Sequence, residues 1–175
     1  MTGRKSREEI ELFANTILKR YNMYGIPVDT IVLANKMGIN VKNGNFSDPS
    51  VSGMIHKKGE KVELCIKVSD ELHKQRFTVA HELGHVVLHL NDLDDGDHPE
   101  QDINILRRNS NIKFKYTNKY IETAEKEANQ FAAALLMDEE LVRAVWGKFS
   151  SLETMAEAFG VSEGTMAYRL GNLDL

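Results

Sequence analysis

Arg76-Phe77-Thr78-Val79-Ala80-His81-Glu82-Leu83-Gly84-His85-Val86-Val87-Leu88-His89 is the stretch around which the rest of the chain is arranged. Ser69 or Asp70 can cap a helix there that runs to about Leu90, because no Pro interrupts the segment and only Gly84 weakens it. Phe77, Ala80, Leu83, Val87 and Leu88 supply apolar positions around it, as expected of a helix packed in a core with one functional stripe. At 3.6 residues per turn, His81 and His85 stand about 40° apart around the axis and about 6 Å apart along it, so both imidazoles can reach one ion. Zinc accepts imidazole nitrogen at about 2.0 to 2.1 Å, which suits the pair. Glu82 is turned by about 100° from His81, near enough to hold an attacking water without becoming a ligand.

His89 continues the same spacing, but it lies about 12 Å from His81 along a continuous helix, beyond the reach of a shared ion. It reads as a packed or supporting histidine. A third histidine six residues after His85 is also absent: Leu88 occupies the bend position and Asn91 that of the ligand. The third ligand therefore comes from elsewhere. A second helix is expected over about Tyr120 to Met137, gathering Ala124, Ala128, Phe131, Leu135 and Leu136 on one arc. Glu122 falls on its polar side, whereas Glu125 and Glu127 sit on the two opposite rims of the apolar arc. A carboxylate at either rim needs a partner, and a metal would be one. Periodicity alone does not choose between Glu125 and Glu127.

Working outward, Ser6 to Tyr21 places Ile10, Phe13, Ala14, Ile17, Leu18 and Tyr21 at helical spacing, ended by Gly25-Ile26-Pro27. Asp29 can cap a short helix through Met37, with Gly38 after its last turn. A strand is expected at Ile39 to Val41, and a hairpin from Met54 to His56 and Val62 to Val68 around Lys57-Lys58-Gly59-Glu60. Asp92, Asp94, Asp95, Asp97, Glu100 and Asp102 crowd into what reads as a solvated loop. Its spacing fails the calcium-loop pattern, since Gly96 falls at the fifth position and Ile103 where the closing Glu belongs. A basic stretch follows at Arg107, Arg108, Lys113, Lys115 and Lys119, interleaved with Phe114, Tyr116 and Tyr120, and could fold back on the acidic loop. Ser150 or Ser151 and Ser162 can cap two short C-terminal helices separated by Gly160.

Composition narrows the class. The 175 residues suit one domain, and 42% apolar with 27% charged residues is ordinary globular usage. The longest apolar run, Phe131 to Met137, is far short of the roughly 20 residues a spanning helix needs. The first twenty residues lack the apolar core of a secretory signal, so a cytoplasmic protein is expected. A lone Cys65 forms no internal disulfide and rules out thiolate-rich metal sites. With 22 basic and 26 acidic residues the formal charge is -4, which gives no general attraction to nucleic acid.

The stretch Arg76 to His85, Leu88-His89, Glu127-Ala128-Asn129-Gln130-Phe131-Ala132 and Leu135-Leu136-Met137 together resemble the ImmA/IrrE family of metallo-endopeptidases. Ser52-Gly53-Met54-Ile55, Ala158-Phe159-Gly160-Val161-Ser162 and Tyr168-Arg169-Leu170 extend the likeness over most of the chain. The resemblance implies an α+β fold: a mostly helical, zincin-like domain with a small mixed or antiparallel sheet. It further implies one unit over 1–175, with a catalytic core over 1–149 and a helix-turn-helix-like segment, 150–175, packed on it. It carries the third zinc ligand to Glu127, beside His81 and His85, and makes Glu82 the general base for a water that attacks the peptide bond. Family members act on helix-turn-helix repressors in bacterial or phage regulation, and a similar protein substrate is implied. The chain departs from the family at Asp138, where Pro is frequent, and in the long insertion between the two motifs.

Two rivals stand against this reading. Leu152 to Leu170 reads as helix, turn and helix, the plan of a DNA-binding regulator. Its charge opposes that, because Ser150 to Leu175 holds Glu153, Glu157, Glu163 and Asp174 against one base, Arg169. The other rival is a zinc-binding sensor or interaction module with weak or no proteolysis. For the peptidase, the Val62 to Val68 strand could pair with an extended substrate if it lay at a sheet edge. Arg107, Arg108, Tyr116 and Tyr120 are candidate donors to the developing oxyanion, with none preferred.

Overall fold

The computed structural model describes residues 4–89, 96–99 and 118–175. The order of elements is α1 (Arg7–Arg20), α2 (Thr30–Lys36), β1 (Asn40–Gly44), β2 (Gly53–Lys58), β3 (Lys61–Lys67), α3 (Leu72–His89), β4 (Gly96–Pro99), α4 (Asn118–Leu136), α5 (Glu139–Val145), α6 (Leu152–Phe159) and α7 (Glu163–Asn172). This is the α+β class read from the sequence, helices dominating and one small sheet.

Helix ends follow local chemistry. Ser6 and Glu9 form a reciprocal capping box at the start of α1, and Asp29 accepts from the Val32 N–H at the start of α2. Ser151 and Ser162 cap α6 and α7 in the same way. Between them Gly160 takes φ 67°, the left-handed conformation that closes α6 and that a side chain would strain. Helix α3 begins one to two residues later than the expected cap. The Glu71 carbonyl accepts from Gln75 N–H, while the Asp70 carboxylate pairs with Lys74 at 2.9 Å.

The sheet has the order β1-β3-β2-β4, with β1 parallel to β3 and both β2–β3 and β2–β4 antiparallel. Val62, Leu64 and Ile66 of β3 are buried, and Glu63, Cys65 and Lys67 point to the other face. Two expectations are corrected here. The strand proposed as a docking edge, β3, is internal, with both backbone edges already paired to β1 and β2. The stretch read as a solvated loop contains β4 at Gly96–Pro99, which pairs with Met54 to Lys57. Four polar or small residues ending in Pro show no apolar alternation, so the pairing comes from β2 and not from a pattern in the segment itself. The basic stretch around Arg107 to Lys115, and its suggested folding onto the acidic loop, lie outside the described residues.

Helix α3 is the spine of the molecule. The sheet and α2 cover one side of it, α4 covers the other, and α1 packs on α4. Leu83, Phe131, Leu135 and Leu136 are fully buried at the α3–α4 seam and beneath it, each contributing about 1.5 to 3 kcal/mol by leaving water. Met155, Phe159, Met166 and Leu170 of the C-terminal pair belong to the same core cluster. Helix α5 was not foreseen. Asp138 caps it, accepting from the Glu140 and Leu141 N–H groups, and also receives the Tyr24 hydroxyl and the Asn15 amide. That fourfold use gives Asp138 a structural reason to stand where the resembling family often has Pro. Among the described residues no helix is long and apolar enough to cross a membrane.

Candidate metal centre

Helices α3 and α4 come into close backbone contact at Gly84, where an added Cβ would lie 3.0 Å from the Ala128 Cα and 3.1 Å from its carbonyl oxygen. Only a residue without a side chain lets the two backbones approach so closely. The residue that weakens α3 as a helix thus sets the spacing of the site.

One turn of α3 presents His81 and His85, whose Nε2 atoms stand 3.0 Å apart. From α4, the Glu125 carboxylate enters between them, one oxygen 3.3 Å from His81 Nε2 and the other 3.2 Å from His85 Nε2. Ligands held about 2.05 Å from a tetrahedral ion lie about 3.3 Å from one another. The two Nε2 atoms stand near that spacing and the carboxylate offers each a different oxygen, so the group suits a two-His, one-carboxylate site. Chemistry agrees with distance. Two imidazole nitrogens and a carboxylate all offer lone pairs, and such atoms at about 3 Å require protons or a cation among them. Among the described residues this is the one group of three or more His, Cys, Asp or Glu side chains able to hold a metal. Burial by itself would raise the Glu125 carboxyl, but hydrogen bonds with His81 and His85 and their charge outweigh it, and the group is held well below the usual carboxylate range. Glu125 is therefore an anion at neutral pH.

The structure brings His81 and His85 together, and Glu82, 1% exposed, follows His81 on the same helix. It does not bring Glu127 to them. Glu127 accepts the Lys5 backbone N–H at 2.8 Å, lies 3.9 Å from the Lys5 ammonium and 3.5 Å from His89 Nε2. Lys5 also donates through Nζ to the Leu88 carbonyl at 3.1 Å. Glu127, which the resemblance implies as the third ligand, thus links Lys5 to the end of α3, and the carboxylate grouped with His81 and His85 is that of Glu125. Both carboxylates face α3 but at different levels of it: Glu125 meets His81 and His85, whereas Glu127 meets His89 in its last turn, one to two turns further on. His89 sits 5% exposed beside Glu127, a packed position as its spacing indicated.

Asn129, to which the sequence reading gave no role, places its Oδ1 2.9 Å from His81 Nδ1. A signal for Asn129 was present. Glu125 and Asn129 are four apart on one rim of α4, so an amide and a carboxylate reach the same imidazole. The side chains of the four candidate oxyanion donors, Arg107, Arg108, Tyr116 and Tyr120, lie outside the described residues.

Comparison with known proteins agrees with the geometry. The model of the Peptidase M78 family, described as the IrrE N-terminal-like domain, matches residues 34–171, a span holding both helices of the metal centre. No curated protein matches the chain. Among solved structures, a Mycobacterium tuberculosis transcriptional regulator resembles 93% of this chain with a TM-score of 0.63 at 18% identity. This chain spans about half of that protein, 47% of its length. At such identity the likeness is one of fold. With the family match running from α2 to α7 and through every residue that faces the site, the chain belongs to the IrrE N-terminal-like family, a family of the metallopeptidase type.

Proposed function

We propose that the protein is a zinc-dependent endopeptidase in which His81, His85 and Glu125 hold the metal and Glu82 is the general base. The observation that carries this reading is the convergence of two imidazole nitrogens and one carboxylate, from two helices, at separations of 3.0 to 3.3 Å. Nitrogen and oxygen donors in that number suit zinc and leave one position open for substrate or water. Zinc, when bound, supplies a lowered pKa for water and polarises the scissile carbonyl. Glu82 then takes the proton of the attacking water and delivers it to the leaving amine nitrogen, so water adds across the amide bond with no acyl-enzyme. Its burial beside His81 keeps that proton away from bulk solvent.

The substrate proposed is a protein, in particular a helix-turn-helix repressor of the kind suggested by the family resemblance, met in the cytoplasm. Since β3 is internal, an extended substrate segment would pair instead with β4, which is at the edge of the sheet among the described residues.

The DNA-binding alternative is weakened by the position of Arg169. The only base in 150–175 is 2% exposed, donates from Nε to the Met137 carbonyl at 2.8 Å and grips both oxygens of Glu11. A guanidinium so occupied does not contact phosphate. The test is to incubate the full chain with a helix-turn-helix repressor encoded beside it. Glu82→Gln is expected to retain zinc while cleavage falls by about 10²- to 10⁴-fold. Normal cleavage by that variant would remove Glu82 from the mechanism, and a wild-type chain that leaves every such repressor intact while holding zinc would favour a sensor over a peptidase.

A further inference from the structure

Asn129 stands at the surface of α4, yet its carboxamide oxygen meets the inner nitrogen of His81, a ring that is only 2% exposed. The close approach at Gly84 and Ala128 leaves little freedom there, because Ala128 is the immediate neighbour of Asn129 and its backbone is pressed against α3. An amide oxygen only accepts. The 2.9 Å contact is therefore a hydrogen bond only when His81 carries a proton on Nδ1, and in the neutral imidazole, the form that binds a metal, that proton leaves the Nε2 lone pair directed at His85 and Glu125. The opposite tautomer would turn a hydrogen atom into the space between those groups.

We propose that Asn129 is a positioning residue that selects the metal-binding tautomer of His81. Its neutral amide also sets how tightly the metal is held. A carboxylate in the same place would raise the basicity of the imidazole and so strengthen its bond to the ion, whereas an amide orients the ring without doing so. The sequence thus builds a correctly aimed ligand that is less basic than it could be, and the zinc is left exchangeable. This inference rests on the metal-site reading above.

The test uses the full chain as wild type, Asn129→Leu and Asn129→Asp. Zinc affinity, measured by competition with a chromogenic chelator, is expected to fall about 10- to 100-fold in Asn129→Leu and to equal or exceed wild type in Asn129→Asp. Asn129→Leu leaves the buried His81 Nδ1–H without its acceptor and is expected to lower the melting temperature of the metal-free protein, whereas Asn129→Asp keeps an acceptor and is expected to melt as wild type. Zinc affinity measured on folded protein below both transitions separates positioning from folding. Imidazole nitrogen NMR of the metal-free protein at about pH 8, above the ordinary histidine range, should show His81 protonated on Nδ1 in wild type and in a mixture of tautomers in Asn129→Leu. Zinc affinity of Asn129→Leu within twofold of wild type, an equally weak Asn129→Asp, or a wild-type His81 protonated on Nε2 and not on Nδ1 would each overturn the proposal. Should wild type take up no zinc at all, the proposed function fails, and the tautomer spectra then decide the role of Asn129 alone.

Discussion

At the scale of single residues, the decisive contrast is between Glu125 and Glu127. Both are carboxylates on α4, both are largely buried, and each has an imidazole within reach: His81 and His85 for Glu125, and His89 for Glu127. They differ in what a loss would uncover. Glu125→Ala removes one of three ligands and is expected to abolish stoichiometric zinc retention after dialysis, measured by elemental analysis. Glu127→Ala is expected to keep the metal but to cost about 1 to 3 kcal/mol of stability by leaving the Lys5 N–H without its acceptor. Zinc lost from Glu127→Ala and kept by Glu125→Ala would reverse the assignment. The pairing of His81 with His85 was legible because five consecutive residues on a helix determine their own spacing. The carboxylate that joins them was not, since a one-dimensional period places Glu125 and Glu127 on two rims of α4 but does not say at which level of α3 each one meets it.

At the scale of elements, local signals foretold local structure. The capping serines, Asp29, the β2–β3 hairpin and the terminating Gly160 all act within a few residues of themselves, and each stands where the sequence puts it. What failed depended on distant partners. β4 exists through its pairing with β2, and α5 is held by a cap that Asn15 and Tyr24 also use from far along the chain. Gly84 belongs to this scale too. Read in isolation it is a weak helix former; set against Ala128 it is the point where two helices meet. Gly84→Ala would gain a few tenths to about 1 kcal/mol of helix propensity, but its methyl group must displace the Ala128 backbone. We expect a net loss of about 1 to 3 kcal/mol in chemical denaturation together with weaker zinc binding. A stabilised variant with unaltered zinc affinity would show that the contact does not govern the site.

At the scale of the whole molecule, the C-terminal helix pair draws on the same apolar cluster as α3 and α4. Arg169 ties that pair to the Met137 carbonyl at the end of α4 and to Glu11 on α1. Breaking a buried ion pair from one side costs more than the pair contributes, because the surviving charge remains in a poorly solvated place. Arg169→Ala is expected to lower stability by about 2 to 4 kcal/mol, with Trp146 fluorescence and far-ultraviolet circular dichroism moving together in a single urea transition. Two separated transitions would mean that the C-terminal helices melt apart from the rest. Lys5 is sewn into the same fabric, its amide held by Glu127 and its ammonium by the Leu88 carbonyl. A pull on that residue would strain the last turn of α3, the helix that also carries His81 and His85, so a load applied ahead of α1 would reach the very element on which the two imidazoles ride.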